Sequence, residues 1–203
     1  MQLYVISDSI LTPYNKICSM LELAIESGID IFQFRDKQKS DNEILPLVLD
    51  LAKICNENDI LFILNDRLNL SLNLQDMGIN CGIHLGKDDL NISFKTIRKK
   101  FKGTIGISCY GNINRALNYE SLGADYVAFG SIFQSPTKKD SKVIGFEILK
   151  EAKERLKIPI CAIGGINANN VSKVKNADFI ALISSIWKGD IKKNIIKLKE
   201  FIK

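Results

Sequence analysis

Histidine is nearly absent from this 203-residue chain, His84 being the only one. A single imidazole excludes HExxH zinc sites and multi-histidine metal cages, which need several. Cysteine is sparse as well. The five present (Cys18, Cys55, Cys81, Cys109, Cys161) are odd in number and form no CxxC pair, and four of them sit inside apolar runs. Neither a disulfide framework nor a cysteine zinc site is expected, and a reduced compartment is implied. No window approaches 18 unbroken apolar residues, so no membrane span and no membrane partner are expected. The start, MQLYVISDS, has neither a basic segment nor a long apolar stretch, which argues against a signal peptide and for a cytoplasmic protein. No run of five basic residues occurs, and 28 Lys+Arg against 23 Asp+Glu leave a net charge of only +5. Nucleic acid is therefore not an expected partner, whereas phosphorylated small molecules are compatible with the mild basic excess.

What the chain does have is a regular alternation. Short apolar, β-rich runs (3–7, 31–34, 61–65, 81–85, 104–108, 126–130, 160–164 and 179–183) are separated by amphipathic stretches. Residues 14–27 carry Ile17, Met20, Leu21, Ala24 and Ile25 at spacings of three and four, and 43–57 repeat the pattern with Ile44, Leu47, Val48, Leu51 and Ile54. Further helices are expected near 68–77, 92–101, 112–122, 145–156, 168–175 and 190–202. The strands read as continuous apolar runs, as strands covered on both faces do. Eight strand–helix units of about 25 residues each predict an α/β protein, a single (β/α)8 TIM barrel over residues 1–203. An open doubly wound sheet is the competing fold. No linker or composition shift divides the chain.

Barrel enzymes carry their chemistry at the C-terminal ends of strands and in the loops that follow. Strand two runs into Gln33-Phe34-Arg35-Asp36-Lys37, and alternation puts Gln33, Arg35 and, if the strand continues, Lys37 on one face. Glutamine and arginine are costly where apolar residues should fill a barrel unless they meet a ligand. A guanidinium fork with an ammonium suits a phosphate polyanion, a solvated strand end being the alternative. Asn65-Asp66-Arg67 ends strand three and Gly86-Lys87-Asp88-Asp89 follows strand four. Asp66 and Asp89, on neighbouring strands, can converge on a hard cation such as Mg²⁺; alternatively each caps a helix. Ser108 closes strand five as either a turn or a ligand residue. The long loop 131–142, with Ser135, Thr137 and Lys138, has the character of a lid or binding segment. Gly164-Gly165 after strand seven faces Ser184-Ser185 after strand eight, the place where barrels hold a monophosphate on backbone N–H groups. His84, inside strand four, reads as a satisfied core or supporting residue rather than a catalytic one.

Taken in order, QFRDK (33–37), NDR (65–67), GIHLGKDDL (82–90), IGIS (105–108), DYVAFGSIF (125–133), Thr137-Lys138-Lys139 and PICAIGGIN (159–167) resemble the thiamine phosphate synthase family nearly end to end. The resemblance implies a transferase of thiamine biosynthesis. It would join 4-amino-5-hydroxymethyl-2-methylpyrimidine diphosphate to a thiazole phosphate, giving thiamine monophosphate and pyrophosphate with one Mg²⁺ per subunit. By the same resemblance Gln33, Phe34, Arg35, Asp36, Lys37, Asn65, Ser108 and Lys138 contact the pyrimidine diphosphate. Arg35, Lys37 and Lys138 act as the catalytic cations on its leaving group. Ser135, Pro136, Thr137, Gly165, Ile183 and Ser184 hold the thiazole phosphate, and Asp66 and Asp89 hold the metal. Two departures stand out: Gln134-Ser135-Pro136-Thr137-Lys138 replaces the family's P-T-x-T-K, and Asn176-Ala177 stands where Gly-Ala is usual, asparagine being tolerant of a left-handed cap. A thiazole tautomerase of the same fold keeps a histidine two residues after the strand-five serine, where this chain has Tyr110. A phosphate-binding barrel without catalysis would leave the aspartate pair and the basic loop idle. The sequence is compatible with a homo-oligomer.

Overall fold

The computed structural model describes residues 1–86, 92–135 and 141–202. Eight parallel strands close into a barrel in sequence order: β1 (Gln2–Ile6), β2 (Ile31–Phe34), β3 (Leu61–Asn65), β4 (Gly82–Leu85), β5 (Ile105–Tyr110), β6 (Tyr126–Phe129), β7 (Ile160–Ile163) and β8 (Phe179–Leu182), with β8 pairing back onto β1. The helices around it are α1 (Ile17–Glu26), α2 (Asp41–Glu57), α3 (Leu68–Asp76), α4 (Phe94–Lys100), α5 (Ile113–Ser121), α6 (Ile148–Arg155), α7 (Ser184–Trp187) and α8 (Ile191–Lys199). The chain is the (β/α)8 barrel that its alternation predicts.

The lack of polar alternation in the strands has a direct cause: every residue of β2, β4 and β6 is buried, because one face meets the helices and the other fills the barrel. Outward residues such as Leu3, Val5, Phe32, Phe62 and Leu64 join the large strand–helix core. The inward set is separate and uneven in size. Tyr4, Ile6, Ile31, Ile63 and Tyr126 fill one part of the barrel, while Ala128, Cys161 and Ala181 leave room on β6, β7 and β8. Helix starts follow local chemistry: Glu43 accepts the Ser40 N–H (2.9 Å) ahead of α2, Asn112 accepts the Arg115 N–H (2.8 Å) and Asp190 the Lys193 N–H (3.0 Å).

At the N-terminal end of the barrel a repeated device fixes strand register. Asp30, Asp125 and Asp178 each stand just before an even-numbered strand, and each accepts the N–H of a residue at the start of the strand before it: Leu3 at 2.8 Å, Ile105 at 2.7 Å and Ile160 at 2.9 Å. Arg98 also bonds Asp125 (2.7 Å), and Lys153 bonds Asp178 (2.6 Å).

Three sequence expectations change. Helix α1 starts at Ile17 rather than near 14, because the Pro13 carbonyl takes the N–H groups of Lys16 and Ile17 in a turn. The helix expected over 168–175 is only a 3-10 turn, Val171–Val174. Asn167 and Asn170 side chains accept the backbone N–H groups of Asn169 and Asn167, offering the chain an alternative to helix. Asn176 is not among the residues with positive φ, so the left-handed cap does not form there, and Ala177 N–H closes onto Val174 O at 2.9 Å instead. Helix α7 was not foreseen in the sequence.

Candidate active site

A cavity of roughly 1260 Å³ opens at the C-terminal mouth of the barrel, over the small side chains Ala128, Cys161 and Ala181. Gln33, Arg35, Asn65, His84 and Ser108 bring polar groups into its wall, and Ser135, Gly165, Ile183 and Ser184 close the other side. Eight of the expected contact residues (Gln33, Arg35, Asn65, Ser108, Ser135, Gly165, Ile183 and Ser184) thus line one cavity, with His84 among them.

Hydrogen bonds cross the barrel interior from β2 to β5. Gln33 Nε2 donates to Tyr4 Oη at 2.5 Å, Tyr4 and Tyr126 hydroxyls meet at 2.8 Å, Tyr126 Oη meets His84 Nδ1 at 2.8 Å, and His84 Nε2 meets Ser108 Oγ at 2.9 Å. Burial pushes both phenols well above their ordinary range, so both stay protonated. Cys161, also in the wall, is a buried thiol whose pKa burial raises, and it carries no thiolate at neutral pH.

On the rim, Arg35 donates its backbone N–H to Ser7 Oγ (2.8 Å), while its guanidinium has no partner among the described residues. Strand β2 ends at Phe34, so alternation does not carry on to Lys37. Lys37 instead reaches sideways, its Nζ lying 3.2 Å from Asp66 Oδ2. Phe34 belongs to the strand–helix core with Tyr14 at 6.4 Å, on the face away from the cavity. Asp36 also turns away from it. Burial would raise its pKa, but the Tyr14 hydroxyl, the N–H groups of Lys39 (2.8 Å) and Gln38 (2.9 Å) and the Arg67 guanidinium together hold it below the usual carboxylate range. Arg67 further binds Asp41 and the carbonyls of Asp36 and Lys39. Asp36 therefore braces the loop that aims Arg35 and Lys37.

Asp66 sits at the end of β3 with φ +64°, a left-handed conformation that a non-glycine residue adopts only when its surroundings hold it there. Its N–H bonds the His84 carbonyl (2.9 Å), and its Oδ2 accepts from Asn65 Nδ2. It does not cap α3, whose cap position is Arg67, so the capping alternative falls. Its Oδ1 keeps no described partner, a hard oxygen donor at the rim. Asp89, the other expected metal ligand, lies outside the described residues, as do Pro136, Thr137 and Lys138. Among the described residues there is no group of three His, Cys, Asp or Glu that could hold a metal; Mg²⁺ needs only one or two carboxylates, water and phosphate oxygens, and Asp66 suits that demand.

The far wall is built from backbone. Gly164 and Gly165 have φ of +105° and +65°, and a Cβ on Gly165 would lie 2.3 Å from Gln134 O and 2.9 Å from Phe133. The Ile132 and Phe133 N–H groups bond the Ile163 and Gly164 carbonyls at 2.9 and 3.0 Å. These glycines thus let the loops after β6 and β7 lie against each other. Asn170 Nδ2 pins the Gly165 carbonyl at 2.9 Å. Opposite, Ser184 and Ser185 open α7, whose first N–H groups have no intrahelical partner. Trp187 Nε1 anchors α7 to the Ile6 carbonyl at 2.7 Å.

Sequence reasoning missed several wall residues. Tyr4, Asp8, Tyr110 and Lys142 all line the cavity. Tyr4 was hidden in an apolar run, although a tyrosine at an inward strand position is a signal. Lys142 lies in the long loop after β6, among lysines that sequence alone does not rank, and it has no described partner. Tyr110 takes φ +55° where β5 bulges against β6.

Residues 3–186 match the family model for thiamine monophosphate synthase. Thiamine-phosphate synthase from Wolinella succinogenes is 51% identical over 179 residues, 88% of this chain and 81% of that protein. The enzyme of the same name from Persephonella marina is 35% identical, covering 100% of this chain and 96% of its own. The solved structure of thiamine phosphate pyrophosphorylase from Pyrococcus furiosus superposes with a TM-score of 0.84 at 32% identity, covering 99% and 95% of the two chains. On these matches and the barrel they share, the chain belongs to the thiamine monophosphate synthase family.

Proposed function

We propose that the chain works as its family name says, a transferase that joins a pyrimidine methyl diphosphate to a thiazole phosphate and releases pyrophosphate. One observation carries this reading: Arg35, whose guanidinium has no partner among the described residues, lines a cavity larger than a single small ligand needs, two residues before Lys37, whose Nζ lies 3.2 Å from Asp66 Oδ2. In the step proposed, the C–O bond between the pyrimidine methylene and the diphosphate breaks and both electrons leave with the diphosphate oxygen. The thiazole nitrogen then gives its lone pair to the methylene cation, forming the C–N bond. No protein nucleophile takes part, which agrees with a neutral Cys161 in the cavity wall.

The protein's work is electrostatic and positional. A cation 4 Å from an anion contributes about 4 kcal/mol at an effective dielectric of 20, so Arg35, Lys37 and Lys142 on a diphosphate are a substantial part of the barrier reduction. Lys138, expected in the same role, adds a further cation. The backbone cup between Gly165 and Ser184 suits the thiazole phosphate, and Ser135 and Ile183 line the same cavity; the contact expected of Pro136 and Thr137 is part of this proposal and lies outside the described residues. Asp66 and Asp89 would hold Mg²⁺, which when bound neutralises charge on the departing diphosphate. Among the described residues no helix is long and apolar enough to cross a membrane, and we place the activity in the cytoplasm on small phosphorylated substrates. The test is pyrophosphate release measured with each substrate alone and with both. Magnesium-dependent release that requires both supports the reading; turnover of the thiazole phosphate alone, an isomerisation, overturns it.

A further inference from the structure

Among the described residues that line the cavity, Asp8 is the only carboxylate, set against two cations, Arg35 and Lys142. Its place follows from the topology. Strand β1 pairs with β2 on one side and with β8 on the other. Asp8, two residues beyond β1, therefore stands between the strand end that carries Arg35 and the one that carries Ser184. The side chain is held in place. Asp8 Oδ1 accepts the N–H groups of Ile10 and Leu11, both at 3.0 Å. Thr12 Oγ1 accepts the Asp8 N–H at 3.0 Å and donates to the Asp8 carbonyl at 2.8 Å. The strand end beneath is fixed as well, with Ser7 Oγ on the Arg35 N–H (2.8 Å) and Trp187 Nε1 on the Ile6 carbonyl (2.7 Å). Oδ2 of Asp8 has no partner among the described residues, and no basic side chain there pairs with this carboxylate. The turn explains Oδ1 and leaves the charge unexplained, because a neutral asparagine offers the same acceptor to the same two N–H groups.

We propose that Asp8 is a catalytic residue whose Oδ2 faces the positive charge that the reaction creates, so that the site favours the thiazolium over the neutral thiazole. This rests on the functional reading above. A carboxylate repels two phosphate-bearing substrates, so its charge helps only where a cation appears. The reaction makes one where the two rings meet. The methylene carbon is positive once the diphosphate has left with the bonding electrons. When the thiazole nitrogen gives its lone pair to that carbon, the charge passes to the thiazole ring, which becomes a thiazolium. No proton moves to or from Asp8. A carboxylate fixed in advance by two N–H bonds needs no reorganisation as that charge develops, the condition under which electrostatics lower a barrier. Arg35 and Lys142 thus serve the phosphate ends of the substrates, and Asp8 serves the rings between them.

Asp8→Asn separates charge from turn, since it keeps the acceptor for Ile10 and Leu11 and removes only the charge. Calorimetry with two probes reads the effect without turnover: thiamine monophosphate, a thiazolium, and its neutral thiophene isostere, in which carbon replaces the quaternary nitrogen. The wild type should bind the cation at least about tenfold more tightly than the isostere, the scale of a hydrogen bond or contact to a charged group. In Asp8→Asn that preference should shrink to within about twofold. The variant's kcat should fall by about 10–100-fold while the KM for each substrate stays within about twofold, the mark of an interaction made only as charge develops. Asp8→Ser, which also offers the turn an oxygen, replaces the asparagine variant should that one fail to fold. A wild type that binds both probes equally, or a folded variant that keeps the preference or full kcat, overturns the proposal and leaves Asp8 to the turn alone. A wild type that binds neither probe sinks the substrate reading instead, so the two failures are distinct.

Discussion

The two ends of this barrel use the same residue types for opposite ends. At the N-terminal end, Asp30, Asp125 and Asp178 each hold a strand N–H within 2.7–2.9 Å, and Arg98 and Lys153 neutralise two of them. Those charges are used up by the fold. At the C-terminal end the guanidinium of Arg35 and the ammonium of Lys142 have no described partner, and one oxygen of Asp66 is likewise unused. Polar groups left unsatisfied beside a cavity cost stability and are retained where a ligand completes them. Saturation marks the stabilising end; vacancy marks the chemical one.

The largest effect should come from the vacant end. Arg35→Ala is expected to lower kcat/KM for pyrophosphate release by about 10²–10³-fold, the size found when one transition-state donor is removed, with a melting temperature shifted by no more than about 1 °C. Arg35→Lys, which keeps the charge and loses the fork, should fall between. A melting temperature that collapses while the folded fraction stays fully active would move Arg35 to the saturated class. Gly165→Ala should come next. Its Cβ would press on Gln134 O and Phe133, forcing the loops after β6 and β7 apart. A roughly tenfold rise in KM for the thiazole phosphate with a smaller change for the pyrimidine is expected, in keeping with the leverage of small displacements on bound geometry; equal changes in both would mean a general loosening.

Asp178→Ala probes the other end. The Ile160 N–H loses its acceptor and Lys153 its partner, at a cost of about 1–3 kcal/mol. For a chain of this length that is a drop of roughly 2–4 °C per kcal/mol in melting temperature. The activity of the folded fraction should stay within about twofold. A loss of turnover without a loss of stability would erase the distinction between the ends.

How much of this could be read from the sequence differs between backbone and side chains. Strand–helix alternation is a consequence of burial, which composition records, so all eight strands were legible within one or two residues. The 3-10 turn at Val171–Val174 was not, because asparagine side chains around 167–170 compete locally with the helix that the apolar spacing suggests. In the site, Gln33, Arg35, Asn65 and Ser108 announced themselves as polar residues at strand ends, and the structure brings them to one cavity. Phe34 and Asp36, expected beside them, face elsewhere, since alternation sends Phe34 to the helix side and Arg67 draws Asp36 away. The row through Tyr4, Tyr126 and His84 depends on which strands become neighbours across the barrel interior, and a linear pattern does not carry that. The register aspartates, by contrast, were visible as Gly-Ile-Asp, Gly-Ala-Asp and Asn-Ala-Asp directly before β2, β6 and β8, and went unread.

Asp36 gives the smallest effect and the sharpest test, because it sits at the vacant end yet is bonded like a residue of the saturated one. Burial acts to raise its pKa, and the hydrogen bonds from Tyr14, Lys39 and Gln38 with the charge of Arg67 overcome that and lower it. A carboxyl whose folded pKa is depressed contributes stability that is present above its unfolded value near 4 and is lost as pH falls through the folded value. Asp36→Asn should therefore lower the urea midpoint at pH 7, and the gap to the wild type should narrow steadily as the measurement moves below pH 4. A gap that stays constant down to acid would show the side chain held by shape alone, and would leave Arg67 as the group that organises the loop behind Arg35.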